Sequence, residues 1–582
     1  AELFGRAWWG LLFGIVAVAV IGRFPRELVA AVLGKGGTVS GLFRAVGAGV
    51  MLDLCNHGIL MVGMGLYKRG ASLGQTIAFL IASPWNSLSL TLILAALIGK
   101  LFFPADNPTA ATLASLAIFG AGFGVRPLGA ILFGYFGDKI GRKYTFLVTI
   151  TLMGVATAAI GLLPTFETAG VWAAGLLLLM RCLQGLALGG EYGGAAIYVA
   201  EHAPDGKRGQ YTSWIQASVA GGFLLAVIVV LITRHAMSTE DFEAWGWRVP
   251  FLTSILLLAI SLFMRLKLSE SPVFKAMKAA GTTSKNPFIE SFKYPGNIGR
   301  LFVALFGVAA GLTVIYYTSQ FGTLYFLTGT ARVPETDALL YMAVGAALAA
   351  PTYVACGWLS DKWGRKRMLL LGYGLSIVGV FPIFWMMADA ANPALARATV
   401  SNPVTLSLPE CDFNVLNRTH ETECAQALNF LTKRGIAYSK QPSETLGLKV
   451  GESKLQGFDE KAYVAALEKA GYPDKSDPAQ RQPWKIILAV FLMVALSGMT
   501  YGQVAAILVE MFPAKIRYTS MSIPYHIGAG YFGGFLPYIS QYIVAQTGQP
   551  FSGLWYTVGV TALAFVVALI WLPETSGKTK LD

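Results

Sequence analysis

The chain has 582 residues, 55% apolar and 13% charged, against roughly 25% charged in soluble domains. This excludes a soluble globular protein: apolar runs of about 18 residues or more recur, each long enough to cross a hydrocarbon core of roughly 30 Å. They lack the short alternation of barrel strands, so the fold class is an all-α polytopic membrane protein. The net charge of +13 does not indicate nucleic acid, because the bases collect in alternate loops, as cytoplasmic loops require.

Residues 1–84 come first. Residues 7–22 form a short apolar run, and 41–66 a longer one broken by Asp53-Leu54-Cys55-Asn56-His57-Gly58; Lys68 and Arg69 then mark a cytoplasmic edge. Nothing resembling a signal-peptidase site leads into a soluble domain. Spans are expected near 85–103, 111–136, 144–163, 170–199, 212–233 and 248–266. A basic cytoplasmic linker, 267–298, follows, and then spans near 299–327, 337–358 and 368–388. A polar insert, 389–484, interrupts the second set on the base-poor, extracytoplasmic side, and spans near 485–510, 518–545 and 551–572 complete it. Within the insert, ECAQALNFLTKRG and FDEKAYVAALEKAGYP have helical spacing, the second with a Gly-Tyr-Pro stop.

Both sets of six carry D-K-x-G-R-K between their second and third spans, in GYFGDKIGRK and GWLSDKWGRKR, 223 positions apart. Such a parallel repeat marks a transporter of two six-helix halves with substrate held between them. Within the first loop, Asp138 is suited to accept from helix N-terminal amides and Gly141 provides a tight turn; Asp361 is its counterpart in the second loop. Arg142, Lys143, Arg365 and Lys366 sit at the cytoplasmic surface, where they can pair with acids. Glu201, Arg208, Glu510 and Arg517 lie at cytoplasmic helix ends and suit gate salt bridges.

These motifs carry a resemblance. The loop resembles the G-x-x-x-D-x-x-G-R-K signature of the major facilitator superfamily. GVRPLGAILFGYFGDKIGRK, RCLQGLALGGEYGGAAIYVAEHAPDGKRGQY, WGWRVPF, IRYTSMSIPYHIGAGYFGGFLP and the closing LPET look like its metabolite:proton symporter branch, from about Lys100 onward. The resemblance implies a monomer in the bacterial inner membrane that moves a small metabolite with protons, uses no cofactor and is not an enzyme. It associates proton coupling with the R-x-x-Q-G pattern at Arg181, Gln184 and Gly185. One departure is clear: where relatives carry an acidic aromatic box in the first span, this chain has Pro84-Trp85-Asn86-Ser87-Leu88. Residues 41–99 look similar to part of a bacterial predicted-permease family linked to metal or metalloid export, with a join near Lys100.

Charged groups inside spans are costly and face a bundle interior or cavity. Arg181, Arg126 and Glu191 are therefore candidates for the substrate or proton pathway, with structural pairing between helices as the rival reading. Tyr316, Tyr317, Gln320, Tyr501 and Gln503 are candidates to line a cavity, with plain packing as their alternative. His526, near the start of a span, is read as a packing histidine. Cys411 and Cys424 form a disulfide candidate, since an oxidising compartment on that side permits a bridge; whether they pair stays open. Asp53, Cys55 and His57 supply O, S and N ligand types, equally readable as caps of a broken helix. The expected function is proton-coupled symport of an organic acid or zwitterion by alternating access. The alternatives are metal or metalloid efflux through the N-terminal segment, and a transporter-like sensor using the insert.

Overall fold

The structure, a computed structural model, describes residues 95–103, 108–266, 270, 272–411, 413 and 422–576. The expectations for residues 1–94, including Asp53, Cys55, His57 and the 84–88 stretch, lie outside the described residues. Eight helical stretches among the described residues are long and apolar enough to cross a membrane.

The first half comprises α1 (Ala95–Phe102), α2 (Pro108–Gly124), α3 (Arg126–Lys139), α4 (Arg142–Ile160), α5 (Val171–His202), α6 (Arg208–His235) and α7 (Arg248–Leu266). Helices α2 and α3 form one pass, reset at Val125 because Pro127 suits a helix start. Helix α5 lies directly on that pass. A Cβ at Gly185 would collide with the Gly122 carbonyl, and one at Gly129 with that of Leu186. Small residues spaced this way let two backbones touch where lipid gives no hydrophobic drive to association.

Two short helices, α8 (Pro272–Ala279) and α9 (Pro287–Lys293), occupy the linker. The second half then runs through α10 (Asn297–Thr330), α11 (Glu335–Trp363) and α12 (Arg365–Ala391). Helix α10 is wound in part as π turns, at Val303–Ala309, Thr318–Gly322 and Phe326–Thr330. After the insert come α16 (Pro483–Tyr501), α17 (Val504–Met511), α18 (Arg517–Ile527), α19 (Leu536–Thr547) and α20 (Leu554–Trp571). The halves meet along α6 against α11 and along α3 against α18.

The insert opens with α13 (Pro393–Ser401) and forms a small α/β unit. Its strands β1 (Val404–Leu408), β2 (Tyr438–Pro442), β3 (Gly447–Val450) and β4 (Ser453–Gln456) are ordered β2-β1-β3-β4. Only β1 and β2 pair in parallel. The two expected helices are present as α14 (Glu423–Lys433) and α15 (Glu460–Lys469), capped by Thr422 and Asp459. The sheet adds to the two helices expected here. Strands of four or five residues with one exposed face leave too short a pattern to read. Cys411 and Cys424 are joined by a disulfide.

The insert is seated on the second half. Arg332, at φ 58°, donates to the Pro473 and Arg434 carbonyls, Arg481 pairs with Asp337 at 2.5 Å, and the Tyr438 amide donates to Gly548. From Glu335, beside this seat, the 29 residues of α11 reach the basic loop about 43 Å away. The insert and the D-K-x-G-R-K loops therefore occupy opposite ends of the bundle.

Candidate functional site

At the basic end, the two halves cap each other. Asp138 Oδ2 accepts from the amide and hydroxyl of Thr519, at 3.0 and 2.9 Å, in the first turn of α18. Asp361 accepts from the amides of Gly209 and Gln210, both at 2.8 Å, in the first turn of α6. Gln210 and Thr519 are equivalent positions of the repeat, 309 residues apart, so the two contacts are the same contact made in opposite directions. Each carboxylate faces the positive end of a helix in the other half.

The surrounding charges repeat this logic with variations. Gly141 and Gly364 turn the loops at φ 139° and 106°, where a side chain would be strained. Beyond Gly141, Arg142 opens α4, and the Lys143 amide donates to Glu270. Beyond Gly364, the amides of Arg365 and Lys366 donate to Glu574. A Cβ on either glycine would meet the corresponding carboxylate. Burial alone would raise the Glu574 pKa, but the amides of Ser576, Arg365 and Lys366 hold it below the usual carboxylate range. The Arg365 guanidinium bridges Asp361 at 2.6 Å and Glu510 at 3.1 Å. Arg517 pairs with Glu201 across the halves at 3.1 Å, whereas Arg208 pairs with Asp205 within its own half. Tyr518 adds another cross-half bond, donating to the Gly190 carbonyl.

Deeper in the bundle lies a layer of buried polar and aromatic side chains. Arg126, at the α2–α3 break, is 2% exposed, and its guanidinium sits 3.4 Å above the Phe123 ring. It lies within electrostatic reach of Tyr317, Tyr525 and Tyr501, all in the opposite half. Its Nε and Nη2 have no hydrogen-bond partner. Tyr316 packs on Tyr501 at 5.4 Å, Tyr501 and Tyr525 share a hydroxyl bond of 2.8 Å, and Tyr525 stacks on Tyr192 of the first half at 3.9 Å. Gln216 donates to the Tyr192 hydroxyl at 2.9 Å. Glu191 is buried next to Tyr192 on α5.

Several polar atoms in this layer are unsatisfied: both amide atoms of Gln320, Oε1 of Gln503 and both ring nitrogens of His526. Gln320 sits in the middle π turn of α10 and Gln503 at the α16–α17 break. Irregular backbone at membrane depth is tolerated where it is buried in protein or lines a cavity. His526 touches Tyr525 edge-on at 5.0 Å and Tyr192 at 6.3 Å.

Arg181 stands apart from this layer. It donates to Gln184 at 2.6 Å, and Gln184 passes the chain to Thr157 at 2.8 Å, all within the first half. Its Nε and Nη2 have no partner. Hydropathy gave its depth but not its direction around the helix. Tyr192, Tyr525, Gln216, Phe123 and Thr519 were not anticipated; tyrosines in an apolar span are indistinguishable by sequence from packing residues, and a donating backbone amide leaves no mark in a sequence at all.

A mirrored set of caps at the basic end around a buried polar layer between two six-helix halves is the architecture of a two-half membrane transporter. The family model described as sugar (and other) transporter matches residues 85–291 and 471–581, and one described as MFS/sugar transport protein matches 194–408. The shikimate transporter of Escherichia coli K12 is 37% identical over 320 residues, covering 54% of this chain and 72% of the relative. The inner membrane metabolite transport protein YhjE of the same strain is 30% identical over 479 residues, covering 81% and 86%. Among solved structures, the proton:xylose symporter XylE bound to 6-bromo-6-deoxy-D-glucose is similar with a TM-score of 0.54 at 17% identity, covering 87% and 98%; that likeness speaks to fold alone. The chain belongs to the sugar (and other) transporter family of the major facilitator superfamily. It is a multi-pass protein of the bacterial inner membrane, with its basic loops cytoplasmic, and its relatives are transporters rather than enzymes. A predicted-permease model matches residues 3–157. That match runs past the expected join near Lys100 and overlaps the transporter match over 85–157.

Proposed function

We propose that the chain carries a small organic acid or zwitterion into the cell together with protons, by rocking the two halves about the polar layer. The observation that carries this reading is Arg126: a buried guanidinium with two unsatisfied N–H-bearing nitrogens, walled by an aromatic ring and facing tyrosines of the other half. A buried cation of this kind calls for an anion, and the planar fork of arginine suits a carboxylate. Relatives named as transporters of shikimate, alpha-ketoglutarate and proline or betaine lend support, because each of these compounds bears a carboxylate. Gln320, Gln503 and His526 offer the remaining polar contacts.

Electrostatics supports proton coupling where the substrate is a net anion. Moving one negative charge inward against a negative interior costs about 2.3 kcal/mol per 100 mV, and a proton carried with it removes that cost. Among the described residues, Glu191 is the carboxyl group buried beside Tyr192 of the polar layer, and in this reading it holds the proton. In this reading Arg181 and Gln184 tune the first half from within, and the Asp138 and Asp361 clusters close the cytoplasmic gate of a monomer. The domain boundaries follow: halves 85–266 and 299–582 joined by 267–298, with 389–484 inserted.

Purified protein in proteoliposomes tests the proposal, with shikimate, alpha-ketoglutarate, proline, betaine and xylose supplied with and without an inward proton gradient. Gradient-stimulated uptake of one or more carboxylates is expected. Uptake of xylose alone, or accumulation indifferent to the gradient, refutes it. A second reading, metal or metalloid export, draws on the permease match over residues 3–157; it requires that Cys55→Ser abolish metalloid resistance conferred by the wild-type chain.

A further inference from the structure

On the face opposite the gate, a cavity of about 330 Å³ lies where the insert meets the second half. Its walls come from the ends of α10 and α12, from α13, from the loop after α14, and from the approach to α20. The volume is at the small end of the range for small-molecule sites. It is separate from the polar layer of the proposed transport path and shares no residue with it.

The lining has a definite chemistry. Phe326, Trp385 and Phe551 supply three aromatic rings, and Leu395 and Val400 add aliphatic surface. Trp385 and Phe551 stand at 85° to each other with centroids 6.4 Å apart, and Phe326 lies 5.6 Å from Phe551. The three rings thus form a corner rather than a flat wall. Asp389 is the one ionisable side chain lining the cavity, and among the described residues it makes no ion pair or hydrogen bond. Aromatic faces attract cations through the ring quadrupole, and a carboxylate without a partner sets the sign of what is recognised. An anion is disfavoured by Asp389, and a purely apolar occupant leaves that carboxylate without a role.

We propose that this cavity binds an organic cation, a substituted ammonium group seated in the corner of Trp385 and Phe551 with its charge met by Asp389. Ala437 of the insert and α13 share the lining, so an occupant joins the insert to the transport half. The ammonium can come from a free solute or from the headgroup of an amine-bearing phospholipid, and the two are separable by lipid composition.

The test uses the full chain in nanodiscs of phosphatidylglycerol alone, with radiolabelled choline as probe and its uncharged isostere 3,3-dimethylbutanol as control. Saturable choline binding is expected, weakened about tenfold or more by Asp389→Asn and by Trp385→Leu, unchanged by Arg126→Gln, and not reproduced by the isostere. Asp389 is exposed, so its isosteric replacement leaves folding intact. Adding phosphatidylethanolamine then identifies the source: competition with choline indicates a headgroup site, and its absence a free solute. Equal binding of the isostere, no effect of Asp389→Asn, or loss of choline binding in Arg126→Gln alone overturns the proposal, and none of these outcomes depends on whether carboxylates are transported.

Discussion

Replacing Asp138 by Asn keeps the shape of the side chain and removes only its charge. In the cytoplasm-closed arrangement Asp138 accepts two hydrogen bonds from Thr519, at 3.0 and 2.9 Å, both buried. Hydrogen bonds to a charged acceptor contribute about 1.5–3 kcal/mol each and neutral ones about 0.5–1.5. The substitution therefore removes about 1 kcal/mol per bond, or about 2 kcal/mol from the closed state. If these bonds are absent when the cytoplasmic side opens, the population ratio shifts roughly 30-fold toward the open state. Spin labels at Lys139→Cys and Lys362→Cys, exposed positions on the two halves, report that ratio by double electron–electron resonance once Cys55, Cys182 and Cys356 are replaced by Ser. Asp361→Asn is expected to shift it at least as far, since Asp361 also holds Arg365 at 2.6 Å. Distance distributions unchanged in both variants would falsify the reasoning that these aspartates hold the gate.

Further outcomes follow from the same geometry. Arg126→Lys keeps the charge but loses the planar fork, so carboxylate uptake should fall roughly 30-fold or more in kcat/KM, with surface expression unchanged. Gly185→Ala places a methyl group against the Gly122 carbonyl, a clash with backbone expected to cost about 1–3 kcal/mol, visible as earlier loss of the monodisperse peak in heated size-exclusion chromatography. Glu574 has a carboxyl held below its ordinary range in the folded chain. Its contribution is therefore complete above the unfolded value of about 4.3 and lost as pH falls through the lower folded one. Between pH 6 and pH 3.5 the wild type should lose more thermal stability than Glu574→Gln, and parallel curves for the two would contradict this.

The legible part of the chain was whatever repeats or is expensive. The recurrence of D-K-x-G-R-K 223 residues apart revealed two halves because a charge cluster between apolar spans has few reasons to recur. Buried Arg126 and Arg181 stood out because arginine in a span is costly. What each charge touches was not legible. The partners of Asp138 and Asp361 are largely backbone amides, which every residue but proline possesses. The different surroundings of Arg126 and Arg181 depend on rotation about the helix axis and on the α2–α3 break, and hydropathy resolves neither. The insert's helices showed through their caps and periodicity; its short strands did not.

The reciprocal caps have a consequence for how the two halves are inherited. Because the carboxylate of each half rests on a helix that the other half supplies, neither cap is complete inside a single half. A change at Asp138 and a change near Thr519 are one genetic locus in function, though 381 positions apart. Compensating substitutions should accumulate across the duplication rather than within either copy. Such a protein resembles two signatories who each hold the other's copy of the agreement, and grafting one half onto a different partner removes both caps at once.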